Sequence, residues 1–246
     1  MKATIKKIFK FFLCSYPDAL NEIPRIEWVR QALTALPAGQ RILDAGAGEL
    51  RYKKFCNHLK YVAQDFGQYE GHGNEKGLHT GTWNQSKLDI VSDITAIPEP
   101  DASFDAILCA EVLEHLPDPL LALKEFSRLL RPGGSLILTA PFASFVHFAP
   151  YFFNTGFSEY WYRRHLPATG FEIVDLQANG NFSEFMLQET TRIAEIAKRY
   201  CPSIKPTLLD KIGLRLVINL LCKMQGVDKS SHEFVCFGYH IIAKKK

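Results

Sequence analysis

The alternation of short apolar segments with helical patterns, which starts at residue 41, constrains the fold of this chain more than any other feature. Apolar runs predict seven strands, at residues 41–45, 61–65, 88–94, 104–109, 136–140, 171–176 and 233–243. The run at 104–109 is almost entirely apolar, which is typical of a parallel strand covered on both faces. Strands that alternate with helices form βαβ units. The sequence therefore predicts an α/β fold with a doubly wound, seven-stranded, mostly parallel sheet.

Helical patterns fill most of the intervals between these strands. They cover residues 48–59, 119–130, 158–169, 184–200 and 208–223. The last two lie together before the final strand, so we expect a helical insertion there. We predict one domain, made of an N-terminal helical region, a central core, the insertion, and a last strand with its tail, at residues 1–38, 39–180, 181–231 and 232–246.

Composition excludes several classes of protein. With 47% hydrophobic and 22% charged residues, the chain is neither disordered nor fibrous, and no apolar run is long enough to cross a bilayer. A net charge of +3 argues against nucleic acid as a partner. The six cysteines are scattered without a C-x-x-C pair, which favours reduced thiols and a cytoplasmic location.

Residues 1–13 carry lysines on one side of a predicted helix and apolar residues, Ile5, Ile8, Phe9 and Phe12, on the other. Two interpretations stay open. The helix docks on the domain by its apolar face, which we favour, or it touches an anionic membrane surface or covers a ligand. The sequence leaves the oligomeric state open.

A glycine-containing turn follows the first strand. The strand ends around Asp44, Gly46 and Gly48 follow, and Asp65 lies at the end of the second strand. Glycines let the backbone approach a ligand, and a carboxylate at the second strand can accept both hydroxyls of a ribose. Arg51 occupies the position of the third glycine in a dinucleotide fingerprint, which disfavours an NAD-dependent oxidoreductase.

Four segments in order carry a resemblance to a known family. They are RILDAGAG at 41–48, SDITAIP at 92–98, SFDAILCAEVLEHLP at 103–117 and LLRPGGSLILTAP at 129–141. Over roughly residues 25–180 the chain resembles class I S-adenosylmethionine-dependent methyltransferases. The resemblance implies a Rossmann-like fold, S-adenosyl-L-methionine as the cofactor and 39–180 as the core that binds it. Leu50 departs from the family's G-x-G-x-G loop, next to the methionine part of the cofactor.

The same resemblance assigns cofactor-binding roles to individual residues. Those on the methionine and ribose side are Asp44, Gly46, Gly48 and Asp65. Asp93 and Ile94 match positions that flank the adenine, where a carboxylate can accept the amino group and an isoleucine can pack on the ring. Glu111 is expected near the sulfonium.

Acidic and histidine side chains follow the fourth and fifth predicted strands. Glu111, Glu114 and His115 share one face if 111–116 forms a helical turn, and His147 comes from the next loop at the same sheet edge. Carboxylates and imidazoles bind divalent cations. The pattern resembles the metal site of small-RNA 2′-O-methyltransferases and ubiquinone-pathway O-methyltransferases, which implies Mg²⁺ or another divalent cation. In the metal-free alternative, Glu111 lies near the sulfonium, and His115 either packs or acts as a base.

The expected reaction is methyl transfer to a small molecule or a glycan, at a hydroxyl oxygen. Residues 142–164 are rich in aromatic side chains, which can stack on a sugar or a flat ring. An alcohol must lose its proton, so a base or a cation is needed, and His147 and His115 are the candidates. The alternatives are an inactive methyltransferase-like scaffold and, less favoured, the oxidoreductase.

Overall fold

The structure is a computed structural model that describes residues 20–246. The predicted helix at 1–13 therefore lies outside the described residues. The described chain forms two compact units, which we treat separately. The larger consists of residues 24–179 and 237–246, and the smaller of residues 20–23 and 180–236. The predicted division into four consecutive segments of one domain stays a prediction.

The larger unit contains a single seven-stranded sheet with the order β3-β2-β1-β4-β5-β7-β6. Its strands are β1 (Arg41–Ala45), β2 (Lys60–Asp65), β3 (Ile90–Val91), β4 (Phe104–Ala110), β5 (Leu130–Pro141), β6 (Phe171–Asn179) and β7 (Gly238–Lys245). The first five strands are parallel, and β7 runs antiparallel between β5 and β6. The predicted α/β class and mostly parallel sheet are confirmed.

Three helices accompany the sheet, α1 (Glu22–Thr34), α2 (Pro119–Leu129) and α3 (Glu159–Ala168). The side chains of Asp118 and Ser158 accept hydrogen bonds from the first turns of α2 and α3, as expected of helix N-caps. The central strands are the most buried part of the sheet, and residues 106–109 of β4 are fully buried. This explains the continuous apolar run in that strand.

The structure corrects several predicted boundaries. The predicted helix at 48–59 is wrong, because only a 3-10 turn, Lys53–Phe55, forms there. Leu50 has a φ of +62°, a left-handed conformation that an α-helix cannot contain. The predicted third strand at 88–94 shortens to two residues.

Two further boundaries shift near the other end of the sheet. β5 begins at Leu130, six residues before the predicted start, because Leu130 pairs with Phe104 of β4 across a register shift. β7 begins at Gly238 because residues 231–233 form a 3-10 turn instead of strand. Neither shift changes the topology of the sheet.

The smaller unit is built on α4 (Phe182–Tyr200) and α5 (Leu208–Gln225), close to their predicted positions. Leu187, Ile218 and Leu221 form its buried core. In the described part of the chain, no helix is long and apolar enough to cross a membrane.

Candidate functional site

A cavity of about 910 Å³ opens in the larger unit at the carboxyl ends of β1, β2 and β4. This edge of a parallel sheet is where doubly wound folds bind ligands. Eight of the ten predicted site residues line it: Asp44, Gly46, Gly48, Asp65, Asp93, Ile94, Glu111 and His115. Glu114 and His147 are not on that lining.

The turn after β1 requires glycine at both predicted positions. Gly46 and Gly48 have φ angles of +79° and +50°, in the left-handed region. A Cβ on Gly46 would overlap the Val112 side chain, and one on Gly48 would lie 2.6 Å from the Trp83 ring. Val112 and Trp83 therefore pack directly against the turn, which has no room for a side chain at either glycine.

Asp44 is buried below this turn. The Tyr61 hydroxyl donates a hydrogen bond of 2.5 Å to its Oδ2 atom. Burial raises the pKa of the Asp44 carboxyl to about 7 and the nearby charge of Asp65 adds to this, although the Tyr61 bond opposes it. A proton is therefore held on Asp44 over part of the physiological range.

Asp65, at the end of β2, is held by three donors. Its Oδ2 accepts from the Gly48 amide at 3.0 Å, and its Oδ1 accepts from the Gly67 amide at 3.1 Å and the Gln85 side chain at 2.8 Å. The Gly48 contact ties the carboxylate directly to the glycine turn. A bound diol would compete with Gln85 for the same oxygen, and sequence reasoning did not identify Gln85.

Asp93 and Ile94 lie where the chain leaves β3. Asp93 Oδ1 accepts hydrogen bonds of 2.8 Å from both the amide and the hydroxyl of Thr95, which fixes a tight turn. Ile94 is 5% exposed and presents an apolar surface to the cavity. Asp93 therefore provides a hydrogen-bond acceptor, and Ile94 provides an apolar contact.

Glu111 stands at the end of β4 with a φ of +58°. Its carboxylate accepts from Arg25 on α1 at 2.9 Å and from the Thr139 hydroxyl on β5 at 2.9 Å. Burial raises the pKa of Glu111, an effect opposed by Arg25 and increased by Glu114. The structure thus holds Glu111 by partners from two other elements, whereas the predicted metal cluster placed it beside Glu114.

Glu114, His115 and His147 do come together, with one ligand atom from each lying within 4.8 Å of the others. The Nε2 atoms of His115 and His147 lie 3.7 and 3.9 Å from Glu114 Oε1. Glu114 is fully buried, and among residues 20–246 neither carboxylate oxygen has a hydrogen-bond partner. The predicted turn is a short 3-10 segment, Leu113–His115.

The orientation of both imidazoles is fixed by backbone carbonyls. Nδ1 of His115 lies 2.5 Å from the Tyr151 oxygen, and Nδ1 of His147 lies 2.8 Å from the Phe145 oxygen. If each Nδ1 carries the proton, each Nε2 presents a lone pair toward the buried carboxylate. Three acceptors then face one another, and an ion or a proton must lie among them.

The pKa values of the three residues in this cluster shift in different directions. Burial raises the pKa of Glu114, but the two histidines outweigh it and the net shift is downward. Burial also lowers the pKa of His147, but Glu114 and the Phe145 carbonyl reverse the sign, so the pKa is raised. For His115 burial dominates and lowers the pKa. His147 is therefore the preferred site for a proton when no cation is bound.

A loop rich in glycine packs on the segment that carries His147. Leu78 donates its amide to the Val146 carbonyl and accepts from the Phe148 amide, both at 3.0 Å, so His147 is bracketed by two backbone bonds. Gly77, with a φ of +82°, leaves no space for a Cβ beside the Val146 carbonyl. The loop at residues 67–81 thus fixes the position of a candidate functional residue.

Aromatic rings cover the cavity between the glycine turn and the histidines. Tyr69 stacks on Phe148 with ring centroids 4.6 Å apart, and Trp83 meets Phe148 edge-on at 5.3 Å. The aromatic segment 142–164 contributes Phe148, Tyr151 and Phe153 to the lining. Tyr69 and Trp83 were missed from sequence, because they lie in an irregular loop whose path no periodicity describes.

Comparison with known proteins identifies this part of the chain. Residues 43–138 match the family model described as a methyltransferase domain. A ubiquinone biosynthesis O-methyltransferase from Xanthomonas axonopodis pv. citri (strain 306) is 35% identical over 124 residues, or 49% of this chain and 50% of that protein. The chain spans about half the length of the curated relatives it matches.

Solved structures agree on the fold. The [4+2]-cyclase SpnF superposes with a TM-score of 0.54 at 22% identity, covering 93% of this chain and 80% of the cyclase. An S-adenosylmethionine-dependent methyltransferase from Archaeoglobus fulgidus gives a TM-score of 0.52 at 17% identity, covering 89% of this chain and 94% of that one. The resemblance to class I S-adenosylmethionine-dependent methyltransferases is confirmed: residues 43–138 are a methyltransferase domain of this class.

Proposed function

We propose that this chain, through its class I methyltransferase domain, binds S-adenosyl-L-methionine in the 910 Å³ cavity and transfers its methyl group to a hydroxyl oxygen of a small molecule. The observation that carries the proposal is the convergence, on one sheet edge, of a glycine turn with its acidic partner and a buried carboxylate–histidine cluster. The relative from Xanthomonas, named an O-methyltransferase, supports oxygen as the acceptor atom.

The residues around the turn fit the cofactor. Asp65 offers a carboxylate already aligned by the Gly48 amide, and such a group suits the two ribose hydroxyls. Asp93 and Ile94 fit an adenine, and the turn, in which a Cβ would clash, suits the amino-acid portion. When bound, the cofactor supplies a methyl carbon activated by its positive sulfur.

The cluster of Glu114, His115 and His147 fits a divalent cation such as Mg²⁺. Both carboxylate oxygens of Glu114 are buried without a donor from the described residues, and two imidazole Nε2 atoms face them. Each imidazole is oriented through its Nδ1 by a carbonyl, the arrangement usual for metal-binding histidines. A bound cation would lower the pKa of an acceptor hydroxyl.

Glu111, also predicted as a ligand, is proposed to serve the cofactor side. Its carboxylate lies between Arg25 and Thr139 and lines the cavity, so it places negative charge near the expected sulfonium. A ligand role in the cation site would require it to leave both partners.

In the metal-free alternative, a histidine removes the proton of the acceptor hydroxyl. The acceptor oxygen forms a bond to the methyl carbon as the carbon–sulfur bond breaks, and its proton passes to Nε2 of His115 or His147. The charge left on the imidazole is stabilised by Glu114, 3.7 to 3.9 Å away. Sensitivity to chelators separates the two cases.

The aromatic lining favours a flat acceptor ring, because Phe148, Tyr151 and Phe153 offer faces and edges for stacking. A glycan is the alternative acceptor. We expect neither nucleic acid nor NAD as a ligand, because the net charge is only +3 and Arg51 stands where a dinucleotide fingerprint has its third glycine. A cytoplasmic location, expected from the cysteines, is part of the same proposal. The similarity of the fold to a [4+2]-cyclase leaves cyclisation as an alternative reaction, because a fold alone does not define the reaction.

The test is methyl transfer from isotopically labelled S-adenosylmethionine to a panel of phenols, catechols and sugars, with product detection by mass spectrometry. We expect labelled product with an aromatic hydroxyl, lost in Asp65→Asn. Asp175→Asn, on β6 at the opposite edge of the sheet, is the matched control and should keep activity. Cofactor binding without any methylated product would favour a scaffold or another reaction.

A further inference from the structure

The α4–α5 hairpin ends in an exposed segment that carries large apolar side chains. Glu184 accepts from Gln225 at 2.8 Å, and Leu187 packs with Leu221, so the two helices run antiparallel. Their connection, at residues 201–207, therefore lies at the far end of the hairpin. Every residue from 198 to 211, here called the hairpin tip, is exposed.

Large apolar side chains are concentrated at the hairpin tip. They are Tyr200 (60% exposed), Ile204 (62%), Leu208 (70%) and Leu209 (79%). Single exposed apolar residues are ordinary on protein surfaces, but four within ten residues form a patch that water solvates poorly. The patch is independent of the cavity and of the proposed methyl transfer.

The apolar surface continues from the tip along α5. Leu216 and Leu220 are 56% and 59% exposed and follow Leu209 at intervals of seven and four residues, which places all three on one face. Ile218 and Leu221, on the other side, form the core of the unit. Because α5 is apolar on both sides, its exposed face is a second apolar surface that contact with a partner could bury.

The charge of the tip identifies what that surface contacts. Its basic residues are Lys198, Arg199, Lys205 and Lys211, and its one acidic residue is Asp210, giving +4 − 1 = +3. The Asp210 carboxylate accepts from the amide and hydroxyl of Thr207 and closes the helix N-terminus. Two copies of this tip would repel each other, whereas an anionic surface would attract it.

The backbone of the tip also suits contact with lipid headgroups. Pro202 and Pro206 lie in the connection and have no N–H group that would need a partner. The Thr207–Asp210 capping box satisfies donors at the start of α5. A short apolar segment next to basic side chains is suited to contact at the headgroup level of a membrane.

We propose that the hairpin tip binds an anionic phospholipid surface, with Ile204, Leu208 and Leu209 inserted at the level of the headgroups and the surrounding basic side chains next to lipid phosphates. Binding then requires both apolar burial and negative lipid charge. Salt should weaken the electrostatic part and leave the apolar part.

The first test is co-sedimentation of the full chain with vesicles of phosphatidylcholine alone or mixed with phosphatidylglycerol. We expect binding to the mixed vesicles that falls with salt and a much weaker signal on the neutral ones. Leu208→Ser/Leu209→Ser should reduce binding roughly ten-fold or more. Val174→Ser is the matched control, because Val174 is 61% exposed on β6, outside the hairpin.

A fluorescent variant tests the location directly. Leu209→Trp places an indole at the tip, and we expect a blue shift with mixed vesicles and quenching by lipids brominated on their acyl chains. Lys205→Gln/Lys211→Gln should weaken binding and its salt dependence together. The proposal is overturned if the wild-type chain does not bind vesicles or if the double leucine variant binds as well as wild type. It is also overturned if sedimentation analysis shows a dimer that depends on these leucines.

Discussion

The two halves of the candidate site, the cofactor side and the histidine side, are built differently. On the cofactor side, Asp65 accepts hydrogen bonds from three donors, two of which are backbone amides, of Gly48 and Gly67. On the histidine side, Glu114 has no donor within the described part of the chain, and its neighbour His147 comes from the loop after the next strand. The carboxylate on the cofactor side has its hydrogen-bond partners in the folded chain, whereas the carboxylate on the histidine side needs a proton or a cation to balance its charge.

This difference separates two requirements of methyl transfer. Holding a nucleotide-like ligand needs fixed dipoles and a shaped turn, which can be satisfied in advance. Removing a proton from an acceptor needs a group that changes its charge, which a fully hydrogen-bonded carboxylate does less readily. Substitutions on the two sides should therefore separate binding of the cofactor from turnover.

The largest expected effect is on the cofactor side. Gly48→Val should abolish binding of S-adenosylhomocysteine, lowering affinity by a factor of roughly 100 or more, because Gly48 has positive φ and a Cβ would collide with Trp83. Gly133→Val, also at positive φ but with open space around its Cβ, controls for backbone strain. Equal loss of affinity in both would contradict the close-fitting turn.

The next effect concerns the histidine side. His147→Ala should lower turnover at least about ten-fold and leave S-adenosylhomocysteine affinity within roughly two-fold, since His147 does not line the cavity. Chelation with EDTA should reproduce the loss in the wild-type chain if a cation is used, and Mg²⁺ should restore activity. Unchanged activity in EDTA would establish the metal-free alternative.

The pH dependence of stability provides a third comparison. The pKa of Asp44 is raised from 3.8 to about 7, so between these values the native state holds a proton that the unfolded chain has released. The unfolding free energy should therefore fall as pH rises from 4 to 7, by up to about 4 kcal/mol from this group. Asp44→Asn should flatten this slope in denaturant titrations. A slope in Asp44→Asn as steep as that of the wild type would contradict the assignment.

A smaller effect tests the covering loop. Gly77→Ala should displace the Val146 carbonyl and loosen His147, weakening Mn²⁺ binding several-fold as measured by electron paramagnetic resonance. Gly81→Ala is the matched control, because its φ is also positive but no atom lies near its Cβ. If both variants bind the ion equally, the loop does not position His147.

The smallest effect concerns Gln85. Its amide occupies the Asp65 oxygen that a ribose would use, so Gln85→Ala should change cofactor affinity by less than about five-fold and in the direction of tighter binding. Calorimetry at matched salt measures it. A large loss would mean that Gln85 itself contacts the ligand.

Much of this architecture follows from local sequence. The β1–turn–β2 region was predicted because glycines and strand ends are encoded within about twenty residues, and the buried strands because their apolar runs are continuous. The absent helix at 48–59 could not be foreseen, since Leu50 has a left-handed φ of +62°, which non-glycine residues rarely adopt and helix propensity does not predict. The pairing of Leu78 with the His147 segment, nearly seventy residues away, has no local signal.

The central claim is that the glycine turn and Asp65 bind the cofactor, and calorimetric titration of the chain with S-adenosylhomocysteine tests it most directly. The structure predicts one site with micromolar affinity, lost in Asp65→Asn, kept in Asp175→Asn and absent for NAD⁺. No heat of binding for S-adenosylhomocysteine, with or without Mg²⁺, or equal binding of NAD⁺, would contradict it.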